Sequence, residues 1–100
     1  MATKNIISVD QFCQHYGIDV SFINSLIDHG LTEITIVENS PYIPVKQIKD
    51  IERMMRMHYD LEINMEGIEA ISHLLERMNL LQKELNVFKN RLLFYESDQS

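Results

Sequence analysis

From Asn5 to Val45 the chain contains neither lysine nor arginine. Those two residue types neutralise phosphates and release counterions, which supplies most of a protein's affinity for nucleic acid, so this stretch lacks the charge that a duplex-gripping surface needs. Asp10, Asp19, Asp28, Glu33 and Glu38 stand there instead; they repel a phosphate backbone and attract a basic protein surface over the same range. Cysteine is nearly absent as well. Cys13 alone excludes an internal disulfide and a four-thiolate zinc site, and it suits a reducing cytosol. Met1 to Ile7 is polar with one lysine and offers no apolar run long enough for a signal peptide or membrane span, so a soluble, cytoplasmic protein is expected. With only three glycines and two prolines beside six methionines, the chain reads as mainly helical. Its 100 residues allow one folded domain and one further element, and its net charge of −6 argues against nonspecific binding to nucleic acid or anionic membranes.

Local signals divide the chain. Ser8, followed three residues later by Gln11, predicts a capped helix running to about Tyr16, with Val9, Phe12, Cys13 and Tyr16 as its apolar stripe and Gly17 as its left-handed stop. Asp19 is positioned to cap a second helix that buries Ile23, Leu26 and Ile27 and ends at Gly30. Two short helices joined by a glycine-containing turn form a helix-turn-helix. The β-branched run Ile34–Val37, the turn residues Asn39, Ser40 and Pro41, and then Tyr42 and Ile43 predict a short β-hairpin, a wing. Val45, Ile48, Ile51, Met55 and His58 space a third helix over Val45 to about Tyr59, carrying the i,i+4 pairs Lys46–Asp50 and Glu52–Arg56.

The last element is long. Asn64 is a candidate cap, and no proline interrupts the residues from Met65 to about Glu96, a helix of roughly 45 Å at about 1.5 Å per residue. Ile71, Leu74, Met78, Leu81, Leu85, Phe88, Leu92 and Tyr95 alternate spacings of three and four and fill the a and d positions of four heptads. Residues Ile68 to Leu75 are expected to pack on the domain's own core. Beyond them Met78, Leu81, Leu85, Phe88, Leu92 and Tyr95 are the expected dimerisation seam. Parallel pairing would match Glu84 with Lys89 and Arg91 with Glu96, but four heptads leave the orientation open. The division expected is a winged helix-turn-helix over residues 1–62 and the long helix over 63–100, with Ser97 to Ser100 frayed.

The outward face of the second helix is read as Ser21, Asn24, Ser25 and Asp28, with Phe22 on its edge, either a core-edge aromatic or the apolar anchor of an interface. Asp10, Asp19, Phe22, Asp28, Glu33 and Glu38 are therefore the candidate partner-binding residues. Lys49, Arg53 and Arg56 form a weak basic stripe on the third helix, the remaining argument for DNA, although an ordinary charged face accounts for it. His15, His29, His58 and His73 do not cluster, and Cys13 and His15 lie about 200° apart on a helix, so neither metal nor cofactor is expected. Met54, Met55 and Met57 read as core filler rather than a sensor pocket. No nucleophile-base pair, phosphate loop or carboxylate dyad has supporting spacing, so catalysis is not expected.

The order of helix-turn-helix, wing, third helix and long C-terminal helix resembles that of MerR-like proteins. Within that group the chain resembles the CbpM family of chaperone modulators. The resemblance rests on Phe12-Cys13, on the spacing from Gly17-Ile18 to Gly30-Leu31, on the segment Leu61 to Ile68, and on the coiled-coil tail up to Arg91-Leu92. It implies a mainly α, winged helix-turn-helix protein that binds the J-domain of a DnaJ-like, CbpA-type co-chaperone and restrains its cooperation with DnaK. A J-domain engages DnaK largely through a basic helix, in keeping with an acidic face on its modulator. No partner-contacting residue is carried over from the family. The alternative reading is a MerR-like transcriptional regulator that contacts DNA through the third helix and spaces two half-sites by dimerising.

Overall fold

The computed structural model describes residues 5–99, the side chains of residues 97–99 apart; the C-terminal helix continues through Gln99 where a frayed end was expected from Ser97, and only Ser100 of that stretch lies outside the described residues. The first helix is capped at both ends as expected, and the second at its C-terminal end. In α1, Val9–Tyr16, the Ser8 Oγ accepts the Gln11 N–H at 3.2 Å. The helix ends at Gly17 (φ +67°), where the N–H groups of Gly17 and Ile18 both turn back to the Cys13 carbonyl. α2, Val20–Asp28, closes in the same manner at Gly30 (φ +69°), with Leu31 N–H on the Leu26 carbonyl at 2.8 Å. These two positions need the left-handed conformation that a Cβ disfavours. Asp19 precedes α2 as expected, but its carboxylate makes no capping hydrogen bond and stays free. Val9, Phe12 and Cys13 from α1 and Phe22, Ile23 and Leu26 from α2 are buried.

The wing belongs to a three-stranded antiparallel sheet, ordered β1-β3-β2, where only a hairpin was expected. The strands are β1, Ile6–Ser8, β2, Thr35–Val37, and β3, Ser40–Pro44. β1 pairs Ile7 with Ile43, and β2 pairs Val37 with Ser40. The turn falls one residue earlier than the sequence signal: Glu38 and Asn39 both have positive φ (50° and 64°), the mark of a two-residue type I′ connection, and Ser40 and Pro41 already belong to β3. A central strand carrying two prolines is unusual because each removes a ladder donor. Here β2 reaches only residues 40 to 42 and β1 only 42 to 44, so Pro41 and Pro44 each have a pairing partner on one side alone.

The third helical segment changes pitch twice. Val45–Gln47 is a 3₁₀ turn, α3 spans Ile48–Met55, and Arg56–Asp60 is a π turn in which Leu61 N–H reaches the Arg56 carbonyl at 3.1 Å. The expected core face therefore drifts. Ile51, Met54 and Met57 are buried, whereas Val45 is 47% exposed. An α period extrapolated across a tighter turn at one end and a wider one at the other cannot hold its phase.

α4, Met65–Gln99, starts as predicted: Asn64 Oδ1 accepts the Gly67 N–H at 2.8 Å, and Ile68 in the first turns is fully buried. The chain divides into two compact units, Met1–Glu69 and Ala70–Ser100. In the second, Leu74, Met78, Leu81, Leu85, Phe88, Leu92 and Tyr95 are all between 52% and 67% exposed. Leu80, Val87 and Phe94, one heptad apart, form a second exposed apolar column at the c position. Among the described residues no helix is long and apolar enough to cross a membrane.

Candidate functional site

Each of the five singled-out carboxylates is exposed. Asp10 sits in the first turn of α1 and Asp19 at the start of α2; burial pushes the Cys13 pKa up, and the charges of Asp10 and Asp19 push it further. These two carboxylates share one neighbourhood. Asp28 ends α2, Glu33 lies in the following connection with its N–H on Gln47 Oε1 at 3.0 Å, and Glu38 is in the hairpin turn. Thr32, buried beside Glu33, donates its hydroxyl to the same Gln47 oxygen and so ties the α2–β2 connection to the start of the third helical segment.

Phe22 is a core residue, not an edge anchor. It is 4% exposed, its ring stacks on His58 with centroids 5.1 Å apart, and it packs at 5.4 Å against Tyr59. The π turn carries both partners, so adjacent residues reach the same ring. The Nδ1 of His58 lies 3.2 Å from the Ile63 carbonyl, which can only accept, and this assigns the proton to Nδ1. The aromatic exposed above this stack is Tyr59, 47% accessible. Desolvation raises its phenol pKa, while Asp19 acts in both directions, its backbone hydrogen bond lowering the pKa and its charge raising it.

Beside Tyr59 a cleft of about 380 Å³ opens between the end of α1 and the third helical segment, lined by Tyr16, Ile18, Glu52, Met55, Arg56 and Asp60 among others. The Tyr16 hydroxyl donates to Glu52 Oε2 at 2.5 Å, and that bond raises the phenol pKa. Glu52 is thereby engaged across the cleft instead of in the expected pair with Arg56. The expected Lys46–Asp50 pair is not made either: Asp50 meets Arg53 at 3.3 Å, the one ion pair among the described residues. The basic stripe of Lys49, Arg53 and Arg56 thus has its middle member held by a carboxylate. The sequence pattern assigned Tyr16 to the core stripe and Tyr59 to a helix end, so it did not find the cleft. The signal available was two tyrosines at the ends of elements, Tyr16 three residues before Asp19 and Tyr59 directly before Asp60. Among the described residues no group of three His, Cys, Asp or Glu side chains is placed to hold a metal ion.

Residues 7–90 match the family model described as MerR HTH family regulatory protein. Among curated proteins, the chain is 27% identical over 100 residues to the chaperone modulatory protein CbpM of Pseudomonas entomophila (strain L48), covering 92% of this chain and 94% of that protein. It is similar to the same extent to the proteins of that name in Pseudomonas putida strains F1 and W619. No solved structure matches the chain.

Proposed function

Since this chain belongs to the MerR HTH family of regulatory proteins, and its relatives are named as chaperone modulators, we propose that it is a non-enzymatic chaperone modulator that binds protein instead of DNA. Its partner in this reading is the J-domain of a DnaJ-like, CbpA-type co-chaperone, and binding restrains that co-chaperone's cooperation with DnaK. One observation carries the reading: the helix-turn-helix unit exposes Asp10 and Asp19, at the starts of its two helices, in a stretch without any Lys or Arg. One fold can host unrelated functions, so the character of the surface, not the fold, decides the partner. A J-domain's basic helix is complementary to this one, whereas phosphates are repelled. The exposed a and d positions of α4 fit homodimerisation in the same reading.

The experiment is a pair of titrations of the purified full chain. One uses the isolated J-domain of the co-chaperone from the same organism, and the other uses mixed-sequence and operator-derived DNA duplexes, both followed from low to physiological salt. Saturable J-domain binding with no duplex binding at low salt is expected. Duplex binding that weakens steeply with salt, with no J-domain binding, would mean that the basic stripe of α3 carries a DNA-binding function instead.

A further inference from the structure

The cleft beside the π turn has the parts of a receptor for a cation. Its two aromatic walls are anchored from beneath. Tyr16 lies 4.5 Å from the buried Phe12 ring, and Tyr59 leans on buried Phe22 and meets His58 edge-on at 4.8 Å. Both phenols remain open to solvent, at 37% and 47% exposure, while their rings are held by the core. The lining carries the carboxylates of Glu52 and Asp60 and one guanidinium, Arg56. The balance is negative, so an anionic guest is repelled and a single positive charge is favoured. Ile18 and Met55 supply apolar surface beside the charges. At about 380 Å³ the cleft is near the small end of the range for organic ligands, roughly 300–1,000 Å³, which suits one long side chain more than a cofactor.

We propose that this cleft is the socket for one arginine or lysine side chain of the protein partner, its aliphatic stem between Tyr16 and Tyr59 and its head group on Glu52. Cation–π attraction and a charge-assisted hydrogen bond act together there, in a hollow partly shielded from water. The proposal rests on the reading that this chain binds a basic protein surface. It divides the work: Asp10 and Asp19 steer the partner in from a distance, and the cleft holds one side chain after contact. The pre-fixed phenol rings lose little conformational freedom on binding, which favours a slow off-rate.

Two probes test it. With the J-domain, Glu52→Gln and Tyr59→Leu are each expected to raise the dissociation rate about fivefold to tenfold, while Tyr59→Phe stays within about twofold because the ring face remains. Circular dichroism and melting temperature serve as folding controls, and Gln at position 52 still accepts the Tyr16 hydrogen bond. The second probe needs no J-domain. Millimolar Nα-acetyl-arginine amide, followed by amide NMR of the full chain, is expected to shift residues around Tyr16, Ile18, Glu52 and Tyr59, and the uncharged acetyl-glutamine amide is expected to shift none of them. Loss of the shifts in Glu52→Gln supports the socket. Absence of arginine-dependent shifts in the wild-type chain overturns it, as do unchanged off-rates in both variants with an intact J-domain complex. A chain that shows the arginine shifts but does not bind the J-domain retains the socket and refutes the partner.

Discussion

Phe22 carries a different burden from the one its place on the helix suggests. Its ring is closed in by His58 and Tyr59, and it thereby links α2 to the π turn that shapes the cleft. Truncation to alanine removes the floor under Tyr59 and leaves a hole in a small core. Phe22→Ala is therefore expected to cost about 3–5 kcal/mol, read as a lowered urea midpoint at constant slope, and not to act as a clean interface mutation. Cys13 is another residue whose surroundings set its chemistry. Burial and two nearby carboxylates hold it as a thiol. Because the folded pKa is raised, the stability linked to this proton is fully present below the unfolded pKa and fades as the pH climbs through the folded value.

At the scale of elements, α1 and α2 were legible in the sequence because their starts and stops are local: Ser8 with Gln11, Gly17, and Gly30 act within a few residues. β1 was not. Its three residues are too few for a periodic pattern, and they become a strand only through pairing with residues far along the chain, Ile7 with Ile43. The phase of the third helical segment was lost for a similar reason, since pitch changes at both ends are tied to tertiary contacts such as the Phe22 stack. The candidate surface divides along the same line. Its carboxylates were readable as composition, but the cleft depends on a hydrogen bond spanning 36 positions, Tyr16 to Glu52, which no local pattern announces. The two helices that were legible carry their own prediction. Asp10→Lys with Asp19→Lys is expected to slow J-domain association several-fold and to flatten its salt dependence, with the off-rate nearly unchanged, in stopped-flow measurements. An unaltered on-rate at low salt would remove this face from the docking route.

For the whole molecule the open question is what covers α4. A chain that leaves the Leu74-to-Tyr95 seam exposed presents an apolar strip of the kind that pairs with another helix. If the seam joins two copies, Leu85→Glu buries an unpaired charge at its centre and converts dimer to monomer at micromolar concentration by light scattering. A monomeric wild type, or a variant of unchanged mass, rejects the seam. The second column of Leu80, Val87 and Phe94 does not belong to those a and d positions, so a two-stranded pair leaves it uncovered. The tyrosines have an optical consequence as well. The chain has no tryptophan, and two of its four tyrosines, Tyr16 and Tyr59, wall the cleft. Half of its tyrosine fluorophores therefore sit at the proposed docking site, one of them with its hydroxyl on the Glu52 carboxylate, so filling the site is expected to change the intrinsic ultraviolet emission without any label.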